Sequence, residues 1–409
     1  MRSHRIILSL SILLGIRLLI MATTPVFEPS EARYAAISAN MARTGNWFVP
    51  SFTYEGNYQR FAGKPPLVFQ AAAACCRVLG VNELAVRLVP FLSFLLLLVI
   101  VYYTVSIGAS RRGALLATGL CATSVALYAT VGFCMTDSSL VCCVAGALLL
   151  YWRLVGMEGR KPRLFTSLAI CALLGVGTLV KGPVALALFG LPVLSDAVIN
   201  RRWRTLLSAD WFWGAVLFLF ITVPYFWAVE THQPGFLRYF FINENVMRFL
   251  VRDYGDKYGA GRETFRGMAA VWALVVTLPW SLFVIFRRPS VWRRARPLGS
   301  FLLLSVIVIT LFWCLTSRVP IAYLLPVVPL FAAYLSTEGW KLGISRHVLL
   351  RFMPWAVAAA VLVLSAVIAA VWICNPKKMP GRAAGPKVSD HYFSYEFYHA
   401  PWGKGAPKR

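Results

Sequence analysis

A polytopic α-helical membrane protein is the fold class this sequence predicts, on three observations. Of its 409 residues, 59% are hydrophobic and 14% charged, with a mean hydropathy of +0.67, which is too little polar surface to cover a soluble globule of this size. Apolar runs of spanning length recur, among them "FLSFLLLLVIVYYTV" and "AVAAAVLVLSAVIAAVWI". Their continuity excludes a transmembrane β-barrel, whose short strands alternate in polarity. Finally, the net charge of +25 is gathered in short clusters between the runs, such as Arg111 with Arg112, Arg201 with Arg202 and Arg204, and Arg287 through Arg296. That pattern marks cytoplasmic loops. No cluster sits on a soluble domain with stacking aromatics, so nucleic acid is excluded as a partner.

About eleven spans follow in order, at roughly 6–22, 84–106, 114–133, 138–155, 164–180, 183–199, 211–229, 268–286, 299–316, 319–337 and 352–374. The first carries Arg17 and is followed by no small-residue cleavage site, which predicts an uncleaved anchor with Arg17 snorkelling or facing the bundle. With the N-terminus cytoplasmic, loops 23–83 and 230–267 fall outside, as do the turns around Asp137, Lys181 and Arg318. Residues 1–374 then form one transmembrane unit, and 375–409 a short basic extracytoplasmic tail. The nine cysteines lack metal-ligand spacing and read as packing residues. No phosphate-binding "GxxxxGK[ST]" occurs, so no ATP-driven engine is visible.

The first outer loop contains "SEARYAAISANMARTG", a run of helix formers from an N-cap at Ser30 to a stop at Gly45. This predicts an amphipathic helix along the membrane surface with Glu31 in its first turn. "GKPPL" cannot be helical through Pro65 and Pro66, so Lys64 stands at an extended entry to an interfacial or re-entrant segment at about 66–80. Across the outer side the ionisable residues are Glu28, Glu31, Arg33, Lys64, Asp137, Lys181, Glu244, Arg248, Arg252, Arg262 and Arg318. Such a set suits cleavage of a sugar–phosphate bond, in which cations stabilise the departing phosphate and a carboxylate activates the nucleophile or offsets charge at the sugar carbon. Outside the cytoplasm there are no nucleotide sugars, which points to a polyprenyl-linked donor.

The blocks "EPSEARYAAISANMARTGNWFVPSF", "FAGKPPLVF", "CMTDSSLV", "GTLVKGPVAL", "RYFFINENVMRF" with "LPW", and "SRVPIAYLLPVVPL" resemble, in order, those of the aminoarabinose (lipid A) transferase branch of the protein O-mannosyltransferase superfamily, membrane glycosyltransferases of the GT-C fold. The resemblance implies a polyprenyl-phosphate sugar donor, an acceptor that is lipid A or another envelope lipid, glycan or protein, and an active site facing outward from the bacterial inner membrane. It implies catalytic roles for Glu31, Glu28 and Asp137. It also implies substrate binding by Arg33, Tyr34, Lys64 and Lys181, to which the outer charges and the late block add Arg248, Arg262, Arg318 and Tyr323 as binding candidates. Two side chains of relatives are replaced: Ser30 stands for an Asp and Gly63 for a Glu, and their loop histidine has no counterpart between Phe249 and Pro279. These losses predict catalysis without a metal or other cofactor. A noncatalytic binder of lipid-linked sugar and a transporter or flippase are the competing functions.

Overall fold

The computed structural model of the protein describes residues 2–54, 57–108, 110–156, 160–247, 250–251, 264–286, 300–374 and 393–399. Its helices are α1 Arg2–Thr23, α2 Ser30–Thr44, α3 Leu67–Leu79, α4 Glu83–Gly108, α5 Arg111–Ala122, α6 Val125–Val131, α7 Asp137–Val155, α8 Arg160–Lys181, α9 Val184–Ile199, α10 Asp210–His232, α11 Met268–Val276, α12 Phe301–Cys314, α13 Val327–Glu338, α14 Arg346–Cys374 and α15 Phe393–His399. Among the described residues six are long and apolar enough to cross a membrane, and α5 with α6, bent by 69°, adds a seventh if the pair is one broken span rather than a re-entrant loop. The eleven expected spans are therefore not all of spanning length. Prolines account for much of the shortfall. Pro183 and Pro326 stand at the starts of α9 and α13, and the run expected at 268–286 breaks into α11 and a turn around Pro279. Proline supplies no N–H and clashes with the preceding turn.

In the bundle core, α7 packs against α4 and α8, and α8 packs against α10. Water-driven burial does little between helices in lipid, so close approach of small residues matters. A Cβ on Gly214 of α10 would stand 2.6 Å from the Cys171 sulfur of α8, and one on Gly177 of α8 3.0 Å from the Cys143 Cβ of α7. The eight described cysteines are free thiols, and these two are packing residues.

Above the bundle, α2 lies against α3, with a hairpin of β1 (Ser51–Tyr54) and β2 (Asn57–Arg60) beside it. The strands pair antiparallel from Ser51 opposite Arg60 to Tyr54 opposite Asn57. Ten residues of α2, from Glu31 to Ala42, are buried. It is thus enclosed on several sides, where an amphipathic surface helix would bury one. Gly45 stops it as expected, at φ 74°, its N–H bonded to the Met41 carbonyl; Ser30, however, is the first helical residue, and no side chain caps the helix start. The hairpin has no counterpart in the expected elements, because four-residue strands leave too short a pattern.

Of the tail, residues 393–399 are described, and they form α15, which lies on α2 and β1. Glu28 accepts the Ser394 N–H at 2.6 Å, Arg43 donates to the carbonyls of Glu396 and Phe397, and Glu396 accepts the Thr53 N–H at 2.7 Å. Burial raises the Glu28 carboxyl above the usual range and pushes Glu396 to about 7. The rest of 375–409 lies outside the described residues.

Candidate active site

A cavity of about 260 Å³ has Lys64, Lys181, Glu244, Asn245, Arg318 and Tyr323 among its walls. Each arrives from a different part of the chain. Pro65 and Pro66 delay α3 to Leu67, and Lys64 stands in a bend with Gly63 rather than in extended chain. Its ammonium donates to the Gly63 carbonyl at 2.6 Å and stands 3.5 Å from the Glu244 carboxylate.

Lys181 is the last residue of α8 and Asp137 the first of α7, so an antiparallel helix pair brings them together. Lys181 Nζ donates to Asp137 Oδ1 at 2.6 Å, with both side chains buried, and stands 4.3 Å above the centre of the Tyr323 ring. Gly182 follows at φ 83°, a conformation that glycine alone enters without a penalty. A Cβ there would meet the Phe240 ring at 2.5 Å. The missing side chain is thus what lets the π-helical segment Tyr239–Met247 settle on the Lys-Gly-Pro turn and aim Glu244 and Asn245 inward. Arg318 comes from the loop after α12 and Tyr323 from the 3-10 helix Ile321–Leu324, and Trp313 of α12 packs on Tyr323 with ring centres 4.6 Å apart. Three cations and one carboxylate thus line the cavity among the described residues, with Asp137 behind Lys181.

The first-loop carboxylates lie elsewhere, and neither lines the cavity. Glu31 is held by Arg87 of α4 through two bonds, Nε to Oε1 at 2.7 Å and Nη2 to Oε2 at 3.0 Å. It also accepts the backbone N–H groups of Phe27 and Cys134, each at 2.9 Å. Arg87 donates further to the carbonyls of Met21, Thr24 and Pro25. The loop is therefore folded around an ion pair whose hydrogen-bonding capacity is met by protein. Glu28 faces α15. Arg33 lies against the rings of Tyr34, Phe61 and Phe393, and Tyr34 packs edge-on to Phe61 and Phe69.

Of the residues singled out in the sequence, the structure brings Lys64, Lys181, Arg318 and Tyr323 into one cavity, with Asp137 at its back, and leaves Glu28, Glu31, Arg33 and Tyr34 in the layer above. Arg248 and Arg262 lie outside the described residues. Arg87 was missed; its signal is a lone arginine one turn into an apolar helix, which needs a carboxylate partner. Glu244 was visible only as one outer charge among several.

The helical bundle has the fold that the resemblance implied, that of the GT-C class of membrane glycosyltransferases. The profile of the family described as dolichyl-phosphate-mannose-protein mannosyltransferase matches residues 8–240, more than half the chain, and the protein belongs to that family. It is similar to the undecaprenyl phosphate-alpha-4-amino-4-deoxy-L-arabinose arabinosyl transferase of Erwinia tasmaniensis, at 26% identity over 78% of this chain and 56% of the relative. A Pseudomonas fluorescens enzyme of the same description is 27% identical over 82% and 60%. The chain thus spans less than two thirds of these curated relatives. In structure it resembles ArnT from Cupriavidus metallidurans bound to undecaprenyl phosphate, with TM-score 0.70, 21% identity, and coverage of 97% of this chain and 74% of that one. The apo oligosaccharyltransferase of Archaeoglobus fulgidus is more distant, with TM-score 0.52, 15% identity, and coverage of 99% and 61%. At these identities the likeness establishes the fold.

Proposed function

We propose that this protein transfers a sugar from a polyprenyl-phosphate donor to lipid A or another envelope lipid, glycan or protein at the outward face of the bacterial inner membrane, with its N-terminus in the cytoplasm. The observation that carries the reading is the convergence of Lys64, Lys181 and Arg318 on one cavity, with an apolar groove at its rim. That groove shares Pro183 with the cavity and runs between α9, α10 and the π-helical segment, past Leu186, Val223, Phe226, Trp227 and Phe241. At about 260 Å³ the cavity is just below the range of ordinary small-molecule pockets. It holds a sugar phosphate and sends a prenyl chain outward, and the groove opens to lipid. The relatives named for undecaprenyl phosphate, and the neighbour bound to it, support the same donor.

As the bond from sugar carbon to phosphate oxygen breaks, the leaving phosphate gains charge, and the three cations stabilise it. One unit charge at 4 Å contributes about 4 kcal/mol at an effective dielectric of 20. Asp137 fixes Lys181 in place, and the Glu31–Arg87 pair with Arg33 and Tyr34 holds the layer that carries Lys64. Side-chain cations neutralise a monophosphate without a divalent ion, so the reaction is proposed to be metal-independent; activity lost to EDTA and restored by one added ion would overturn this.

Purified protein in lipid with a radiolabelled polyprenyl-phosphate sugar tests the function. Transfer or donor hydrolysis is the expected result. Binding without turnover would make the protein a module for lipid-linked sugar, and movement between leaflets would make it a flippase.

A further inference from the structure

The cavity holds a carboxylate distinct from those of the first outer loop. Glu244 lies on the π-helical segment, a rare geometry that recurs at functional sites. Its side chain is 4% exposed, with Oε2 3.5 Å from Lys64 Nζ and Oε1 accepting the Tyr239 hydroxyl at 3.2 Å. Among the described residues, Asp137, Glu31 and Glu28 do not line the cavity. Asp137 is engaged by Lys181 at 2.6 Å behind the wall, Glu31 accepts four hydrogen bonds from Arg87 and two backbone amides, and Glu28 faces α15. A separation of 3.5 Å to Lys64 is an ion pair longer than a charge-assisted hydrogen bond, and a phosphate with several acceptor oxygens competes well for that ammonium.

Resting on the transferase reading above, we infer that Glu244 is the catalytic base. Before the donor binds, it serves as counter-ion to Lys64; when the donor phosphate takes Lys64, the Glu244 carboxylate accepts the proton of an acceptor hydroxyl. The acceptor oxygen forms its bond to the sugar carbon while the bond from that carbon to the phosphate oxygen breaks. The electron pair leaves with the phosphate, as polyprenyl monophosphate held by the cations, and the proton passes to Glu244 and on to water. The inference commits the acceptor to a class: a hydroxyl, which needs a base, rather than a phosphate already ionised at neutral pH.

Glu244→Gln separates binding from chemistry. Binding of unlabelled undecaprenyl phosphate should be unchanged or several-fold tighter, because a negative neighbour of the phosphate is gone. Turnover of the radiolabelled donor with lipid extract should fall by about 100-fold or more, the range of general-base catalysis. Glu244→Asp, one methylene shorter, should recover part of the turnover. A Gln variant with near-normal turnover, a parallel loss of binding and turnover, or an Asp variant no better than Gln would overturn the assignment. The wild type reports on the transferase proposal beneath it: with no binding of undecaprenyl phosphate that proposal itself fails, whereas wild-type turnover with an active Gln variant defeats the Glu244 assignment alone.

Discussion

Two buried polar clusters, both near the outer ends of helices, differ in how their charges are met. Around Glu31 and Arg87 an ion pair is closed by backbone groups on every side, with seven contacts from Arg87 or to Glu31 within 3.0 Å. Around Lys64, Lys181 and Arg318, the charged side chains instead border open volume. A saturated cluster fixes geometry; a cluster of charges that borders open volume has room for an anion. Burial alone does not tell them apart, since Lys181 at 8% and Glu31 at 4% are both buried.

The sharpest way to break the comparison is to remove Arg87. Arg87→Ala leaves the buried Glu31 carboxyl without its partner, which costs about 3–5 kcal/mol, and thermal unfolding in detergent should show it. Glu31→Gln,Arg87→Met together should cost less than Arg87→Ala alone, because no orphan charge remains. Equal losses would mean that the pair stabilises more than its own burial requires.

Lys64→Ala and Lys181→Ala should both weaken undecaprenyl phosphate binding, with fold stability little changed for Lys64. Loss of a charged hydrogen bond worth about 1.5–3 kcal/mol predicts a weakening of about 10- to 150-fold. Lys181→Ala also orphans Asp137, so its melting temperature should fall as well. Unaltered affinity in both variants would remove the phosphate from this cavity.

A smaller effect is expected at Gly182. Alanine at φ 83° costs about 1–2 kcal/mol, and its methyl group displaces Phe240. Turnover should drop with little change in the helices, and Gly182→Ala with full activity would disconnect the π-helical segment from the chemistry.

The smallest effect concerns pH. The docked Glu396 titrates at about 7, above its ordinary 4.5, because burial disfavours its charge. The docked state therefore binds the extra proton between those values. Docking of α15 gains as pH falls from above 7 toward 4.5 and weakens as pH rises through 7, by at most about tenfold per unit. Hydrogen exchange of residues 393–399, corrected for intrinsic rates, should show more protection at pH 6 than at pH 8.5, and Glu396→Gln should flatten the difference.

What was legible in the sequence followed from periodicity and from special residues. The long spans stood out because continuous hydrophobicity over a bilayer's thickness is what lipid demands of a spanning helix and what water penalises. Lys64, Asp137 and Lys181 stood out because a charge at the edge of an apolar run is costly without a purpose. Contacts across the fold were not legible. Nothing near Glu31 announces Arg87, 56 positions on, as its partner, and helix formers in α2 look the same whether they lie on a membrane or beneath another helix. Glu244 was obscured similarly, since a loop rich in charge does not show which member is turned inward until the Gly182 turn is seen to receive it.

The clasp of α15 on the first outer loop has a consequence in time. Glu28 and Ser394 are 366 positions apart, and at about 5–20 residues per second a ribosome needs roughly 20–70 s to cover that distance. For that interval the outer layer stands without the helix that covers α2 and occupies Glu28 and Arg43. Synthesis therefore finishes the membrane bundle before it seals the loop beside it, and the newborn protein passes through an unclasped form each time it is made.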